Sequence, residues 1–148
     1  MRAAMVLAGL TTALLVTSNL PAEEVAWRTD YREAWRESRQ KHCPLLLYVT
    51  RSECKYCDRM KDVTFHNSRL AAEVRDNFVA VSIDADLMPE YVKELKVDGF
   101  PTLLVFSPDA GQLDRIQGFI AHDALVRRLN LAHARHVMSV GQDATLRR

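Results

Sequence analysis

Six consecutive residues, Leu45 to Thr50, form an unbroken, mainly apolar run between Pro44 and Arg51. A run this short and this uniform fits a strand buried on both faces rather than an amphipathic helix. Such a strand belongs to a sheet covered on both faces, and the order of the other elements decides what covers it. Trp27, Tyr31, Ala34, Trp35 and Ser38 recur at helical spacing, with Asp30 and Glu33 three apart as in a capping box. Residues 78–84 read as a second strand and 103–106 as a third. A Ser-Pro-Asp-Ala-Gly turn then leads to a hairpin arm at 113–117. Helices are expected between the strands: one with Met60 and Val63 inward, one capped by Asn67 or Ser68, and one opened by Pro89. A last helix over 123–138 carries Leu125, Val126 and Leu129 inward. The first two strands, linked through helices, are expected to pair parallel, and the last two, linked by a turn, antiparallel. The expected fold is one mixed sheet with helices on both faces, a three-layer α/β domain.

The chain has 148 residues, 48% apolar and 26% charged. This suits one domain with its own core and excludes disordered, fibrous and multi-span membrane classes. Residues 1–22 stand apart. Arg2 is followed by an apolar or small-residue run over 3–16 and a polar-to-small exit, the order of a secretory signal. The run is shorter than the ~20 residues a spanning helix needs, so a cleaved signal is expected over an anchor, with no stable membrane span after its removal. The expected organisation is a signal at 1–22, one domain at 23–138 and a loose tail at 139–148. Export to the periplasm or medium follows. The first 22 residues carry one Arg and no acid, so without them the charges balance. A balanced surface offers no field for steering toward nucleic acid.

Three cysteines, Cys43, Cys54 and Cys57, are too few for a disulfide-stapled scaffold. Cys54 and Cys57 follow the buried strand and open the next helix. A sulfur at a helix start is favoured as thiolate by unpaired amides and the macrodipole. Lys55 and Arg51 add positive charge, and Glu53 opposes them. Cys57, one turn on, is placed to close a disulfide. Cys54 is therefore the expected attacking sulfur and Cys57 the resolving one. Two other readings stay open for the pair: a structural disulfide, or half of a metal site. Zinc wants two further ligands, and neither His66 nor Cys43 belongs to a compact second pair. No metal is expected, and no cofactor beyond the redox-active disulfide. Cys43 reads as a small core residue, the two tryptophans as packing groups, and His133 and His136 as solvated surface.

The run Leu45-Leu46-Leu47-Tyr48-Val49, then Cys54-Lys55-Tyr56-Cys57, then Gly99-Phe100-Pro101-Thr102 before a hairpin and helix, resembles the thioredoxin superfamily. The exported bacterial thioredoxin-like proteins are the most similar in pattern, and the likeness covers about residues 27–131. It implies a cis peptide before Pro101, lying against the cysteine pair, with the Phe100 backbone offered to an extended substrate. Tyr56 joins Phe100 and Pro101 as a substrate-facing residue, and Lys55 and Glu53 modulate the sulfur. Three positions depart from thioredoxins proper. Glu53 stands where they have Trp, Tyr48 where they hold a buried acid, and Lys55-Tyr56 where they have Gly-Pro. The resemblance implies an enzyme exchanging disulfides with exported cysteine-containing proteins and with a redox partner that recycles it. A binding module that keeps the fold with little turnover is the alternative.

Overall fold

A computed structural model describes residues 24–109 and 111–146. The chain runs α1 (Tyr31–Lys41), β1 (Leu45–Thr50) and α2 (Lys55–Arg59), which continues into a π-helical turn (Met60–Phe65). Then come α3 (Ser68–Asn77), β2 (Val79–Asp84), α4 (Pro89–Glu94), β3 (Thr102–Ser107), β4 (Gly111–Gln117) and α5 (His122–Leu146). The sheet order is β2-β1-β3-β4. β1 pairs parallel with β2 and antiparallel with β3, and β3 and β4 form the hairpin. This is the mixed, helix-covered sheet that the sequence implies.

All six residues of β1 are buried because the strand is central and both faces are covered. Alternation sends Leu46 and Tyr48 toward α3, the π turn and α5. It sends Leu45, Leu47 and Val49 toward α1 and α4. Two apolar layers therefore clamp one strand, and that strand ends at the cysteines.

Three elements differ from the sequence reading. Trp27 shares the spacing of α1 but lies outside it. Asp30 caps the helix by accepting the Glu33 N–H at 3.0 Å, and Arg28, just before it, bridges Val81 beside β2. Val63 is 49% exposed rather than inward. The i→i+5 pattern of the π turn brings Phe65, not Val63, back over Met60, and Met60, Thr64 and Phe65 are the buried set. Finally, α5 runs to Leu146, past residue 138 where a loose tail was expected. No proline interrupts it, and one interior glycine, Gly141, costs a helix only about 1 kcal/mol. The segment read as a signal, 1–22, lies outside the described residues. Among those residues no helix is long and apolar enough to cross a membrane.

His136 is only 4% exposed, not solvated. Its Nε2 lies 2.9 Å from the His42 carbonyl, which can only accept, so Nε2 carries the proton. Nδ1 then accepts from the Ser107 hydroxyl at 3.0 Å. One ring thus ties α5 to the end of β3 and to the α1–β1 loop. The pattern was readable: His136 continues the inward stripe of Leu125, Leu129 and Ala132 at helical spacing.

Candidate active site

Between Thr50 and Lys55 the chain turns from the central strand into a helix. Asp86, in the loop after β2, accepts the Ser52 N–H at 2.9 Å and an Arg51 guanidinium N–H at 3.3 Å. The Ser52 hydrogen bond, with the Arg51 charge behind it, holds the Asp86 carboxyl below the usual carboxylate range. This pin is therefore present above the ordinary carboxylate pKa and is lost as pH falls through the lowered one. Glu53 next adopts φ 52°, the left-handed region, which costs a non-glycine residue roughly 1–2 kcal/mol. Cys54 then returns to extended backbone and opens α2.

Cys54 occupies the N-cap position, and its Sγ accepts the Cys57 N–H at 3.2 Å. Ser or Asp usually supplies that acceptor; here sulfur does, so an amide dipole points at the atom that would carry negative charge. Cys54 is half-buried and Cys57 fully buried. The two are joined in a disulfide, with Cα atoms 5.2 Å apart. Beneath them the Tyr48 hydroxyl donates to the Cys57 carbonyl at 3.2 Å, tying the strand to the helix it feeds. Burial pushes the Tyr48 phenol above its ordinary value, and the Asp58 charge adds to this. It stays a donor across the physiological range.

Lys55, Tyr56 and Glu53 all reach solvent beside the half-buried sulfur, Tyr56 with 61% exposure. The Phe100–Pro101 peptide is cis. Thr102 pairs with Val49 near the C-terminal end of β1, which puts Pro101 just before β3 at the end of the sheet where the cysteine loop departs. The Arg51 guanidinium sits 5.3 Å from the Phe100 ring centroid, joining the two loops directly. Cys43 precedes β1 while Cys54 follows it, so six strand residues at about 3.3 Å each lie between them. Cys43 is a half-buried free thiol that packs against the core layer of Leu45, Leu47 and Val49. Among the described residues no three His, Cys, Asp or Glu groups cluster to hold a metal.

Asp86 is the site residue that the sequence reading missed. Its position, two residues past the acid that ends β2, carried a faint turn signal, but only the fold brings it to Ser52.

A helix-capping cysteine pair at the end of the central strand of a mixed, helix-covered sheet defines a thioredoxin-type protein. The family model described as a thioredoxin-like domain matches residues 31–133, and the chain belongs to that family. A structure titled DsbH oxidoreductase superposes with TM-score 0.65 at 24% identity, covering 86% of this chain and 94% of that one. A thioredoxin from Thermus thermophilus gives 0.65 at 21%, covering 72% and 85%. These likenesses are of fold. An uncharacterized protein of Caenorhabditis elegans is 31% identical over 80 residues, which is 54% of this chain and 11% of that protein. The match thus takes in about a tenth of that relative's length.

Proposed function

We propose that the protein is an exported thiol–disulfide oxidoreductase that exchanges disulfides with protein substrates through Cys54 and Cys57. The observation that carries this is the Cys54 sulfur at the helix cap, accepting an amide N–H and bonded to a fully buried partner sulfur. In the reducing direction the Cys54 thiolate attacks a substrate disulfide and expels one substrate thiolate. Cys57 then loses its proton and attacks Cys54, releasing the second substrate thiolate and closing the Cys54–Cys57 bond. The reverse sequence oxidises a dithiol. Phe100, Pro101 and Tyr56 form the surface against which an extended substrate lies, with Lys55 and Glu53 setting the charge around the sulfur. The thioredoxin-like fold, shared with an oxidoreductase and a thioredoxin, supports this reading.

Titration of the purified protein should count one thiol in the oxidised form, Cys43, and three after reduction. The protein should also accelerate insulin reduction by dithiothreitol well beyond the rate with dithiothreitol alone. An unchanged rate would sink the enzymatic reading. The reduction potential of the pair then gives the direction: about −270 mV marks a reductant, about −120 mV an oxidant.

Export rests on Arg2 and the apolar run over 3–16. Native material should begin between Asn19 and Glu23 and be recovered outside the cytoplasm. N-terminal sequencing that starts at Met1 or Arg2 would overturn the cleaved signal. The partners on this reading are exported cysteine-containing proteins and a redox protein that recycles the pair.

A further inference from the structure

The overall balance of charge conceals a local excess on α1. Arg32, Arg36 and Arg39 stand at i, i+4 and i+7, so they share one helix face over roughly 10 Å. All three are exposed. Glu37, on another face of the helix, is taken up by Arg28 and Lys41. Among the described residues the Arg32 and Arg36 side chains make no hydrogen bond, ion pair or ring contact, while the Arg39 guanidinium lies 5.9 Å from the Trp35 ring centroid. Like charges four apart on a helix destabilise it, so Arg32 and Arg36 oppose each other across one turn without a counter-ion among the described residues.

Beside the stripe lies a groove of about 450 Å³ between α1 and α4. Its floor is aromatic and already assembled. Tyr31 packs on Tyr91 at 4.2 Å between ring centroids, and Trp35 packs on Phe106 at 5.7 Å. Each of these rings is only half-buried. No acid lines the groove among the described residues. Phe106 sits near the end of β3 away from Pro101, so an occupant here leaves Cys54 uncovered.

We infer that this groove docks an acidic segment of a partner protein, with an apolar or aromatic side chain seated on the rings between carboxylates held by the arginines. Guanidinium groups pair two-pronged with carboxylates, and half-buried rings hold an apolar side chain without new ordering. Three cations over so short a stripe fall below the roughly six to ten phosphate contacts of a strongly salt-dependent nucleic-acid binder. They also fall below the ~4–8 cations of a lipid-binding cluster. The inference stands apart from the redox reading, because no cysteine takes part in it.

The probe is a fluorescein-labelled heptapeptide of Glu and Asp around one central Phe, titrated by anisotropy against the full mature chain. Saturable binding in the micromolar range is expected, weakening several-fold as salt rises. The double variant Arg32→Glu, Arg36→Glu should lose at least about tenfold in affinity while exchanging a small disulfide at the parent rate. Replacing the peptide's Phe by Ala should weaken binding separately from the charges. Failure of the peptide to saturate, or equal binding by parent and double variant, overturns the proposal. So does arginine-dependent binding of phosphatidylglycerol vesicles or a single-stranded oligonucleotide where the peptide does not bind, because the occupant would then be a different class of molecule.

Discussion

Cys57→Ser, produced in the native compartment, accumulates covalent adducts with cysteine-containing proteins. They appear on non-reducing gels and are released by dithiothreitol. Cys54→Ser gives almost none, at least tenfold fewer. The contrast follows from where the two sulfurs sit. Cys54 is half-buried at a helix cap, receives an amide dipole, and is flanked by the exposed Lys55. Cys57 is fully buried, with Tyr48 bonded to its carbonyl from below. On the proposed function, an incoming disulfide therefore meets Cys54. In the parent the mixed disulfide is short-lived, because Cys57 attacks from within the same molecule. Well-oriented intramolecular reactions reach effective concentrations on the order of 10⁵ M or more. Serine in place of Cys57 removes that attack and leaves the first bond standing. Cys43→Ala should trap and turn over like its parent, since β1 separates it from the pair. Equal trapping by the two single variants would refute the assigned roles. Absence of adducts from both would favour a binding module over an enzyme.

The fold was legible where periodicity and chain connectivity act together. Leu45–Thr50 announced a strand buried on both faces, its parallel pairing with β2 followed from the helices between them, and the β3–β4 hairpin followed from its turn. Pro89 opens α4 and Asn67 caps α3, as their types suggest. Local spacing misled where a tertiary or backbone event intervened. Trp27 fits the period of α1, but the Asp30 cap begins the helix after it, and its ring is used on Tyr48 and Phe65 instead. Val63 fits an α-helical stripe that the π turn rotates away. The Cys54–Cys57 pairing was readable because a two-residue spacing at a helix start brings the sulfurs together. Asp86 was not, because its partner Ser52 is 34 residues away in sequence and meets it only across the ends of β1 and β2. The arginine groove was hidden for a similar reason. Its stripe lies on α1, but Tyr91 and Phe106 come from α4 and β3.

Phe65→Ala should cost about 3–5 kcal/mol, a large share of the ~5–15 kcal/mol that holds an ordinary domain together. Phe65 ends the π turn and is 4% exposed. Its ring lies 4.8 Å from Trp27 and meets Tyr48 edge-on at 4.9 Å, so truncation leaves a hole bounded by two rings that cannot both move into it. Tyr48 is anchored to the Cys57 carbonyl, and the backbone before Trp27 is held by the Val25 N–H bond to the Phe65 carbonyl at 3.1 Å. Phe65→Leu, which refills most of the volume, should cost less than half as much. Val63→Ala is the informative comparison. An inward valine truncated to alanine would cost a few kcal/mol, whereas at a half-exposed position the change should stay near 0.5 kcal/mol. Urea unfolding with the Cys54–Cys57 disulfide kept intact measures all three on one scale, with the midpoint shifting at constant slope. If Val63→Ala loses as much stability as Phe65→Ala, the helix after the cysteines is regular α-helix in solution and the π turn is wrong. If Phe65→Ala loses under about 1 kcal/mol, the aromatic cluster does not form the support beneath Cys57. The disulfide helix would then be held instead by Met60, the Tyr48 hydrogen bond, the Thr64 hydroxyl on the Ile120 carbonyl and Arg59 over the Phe119 ring.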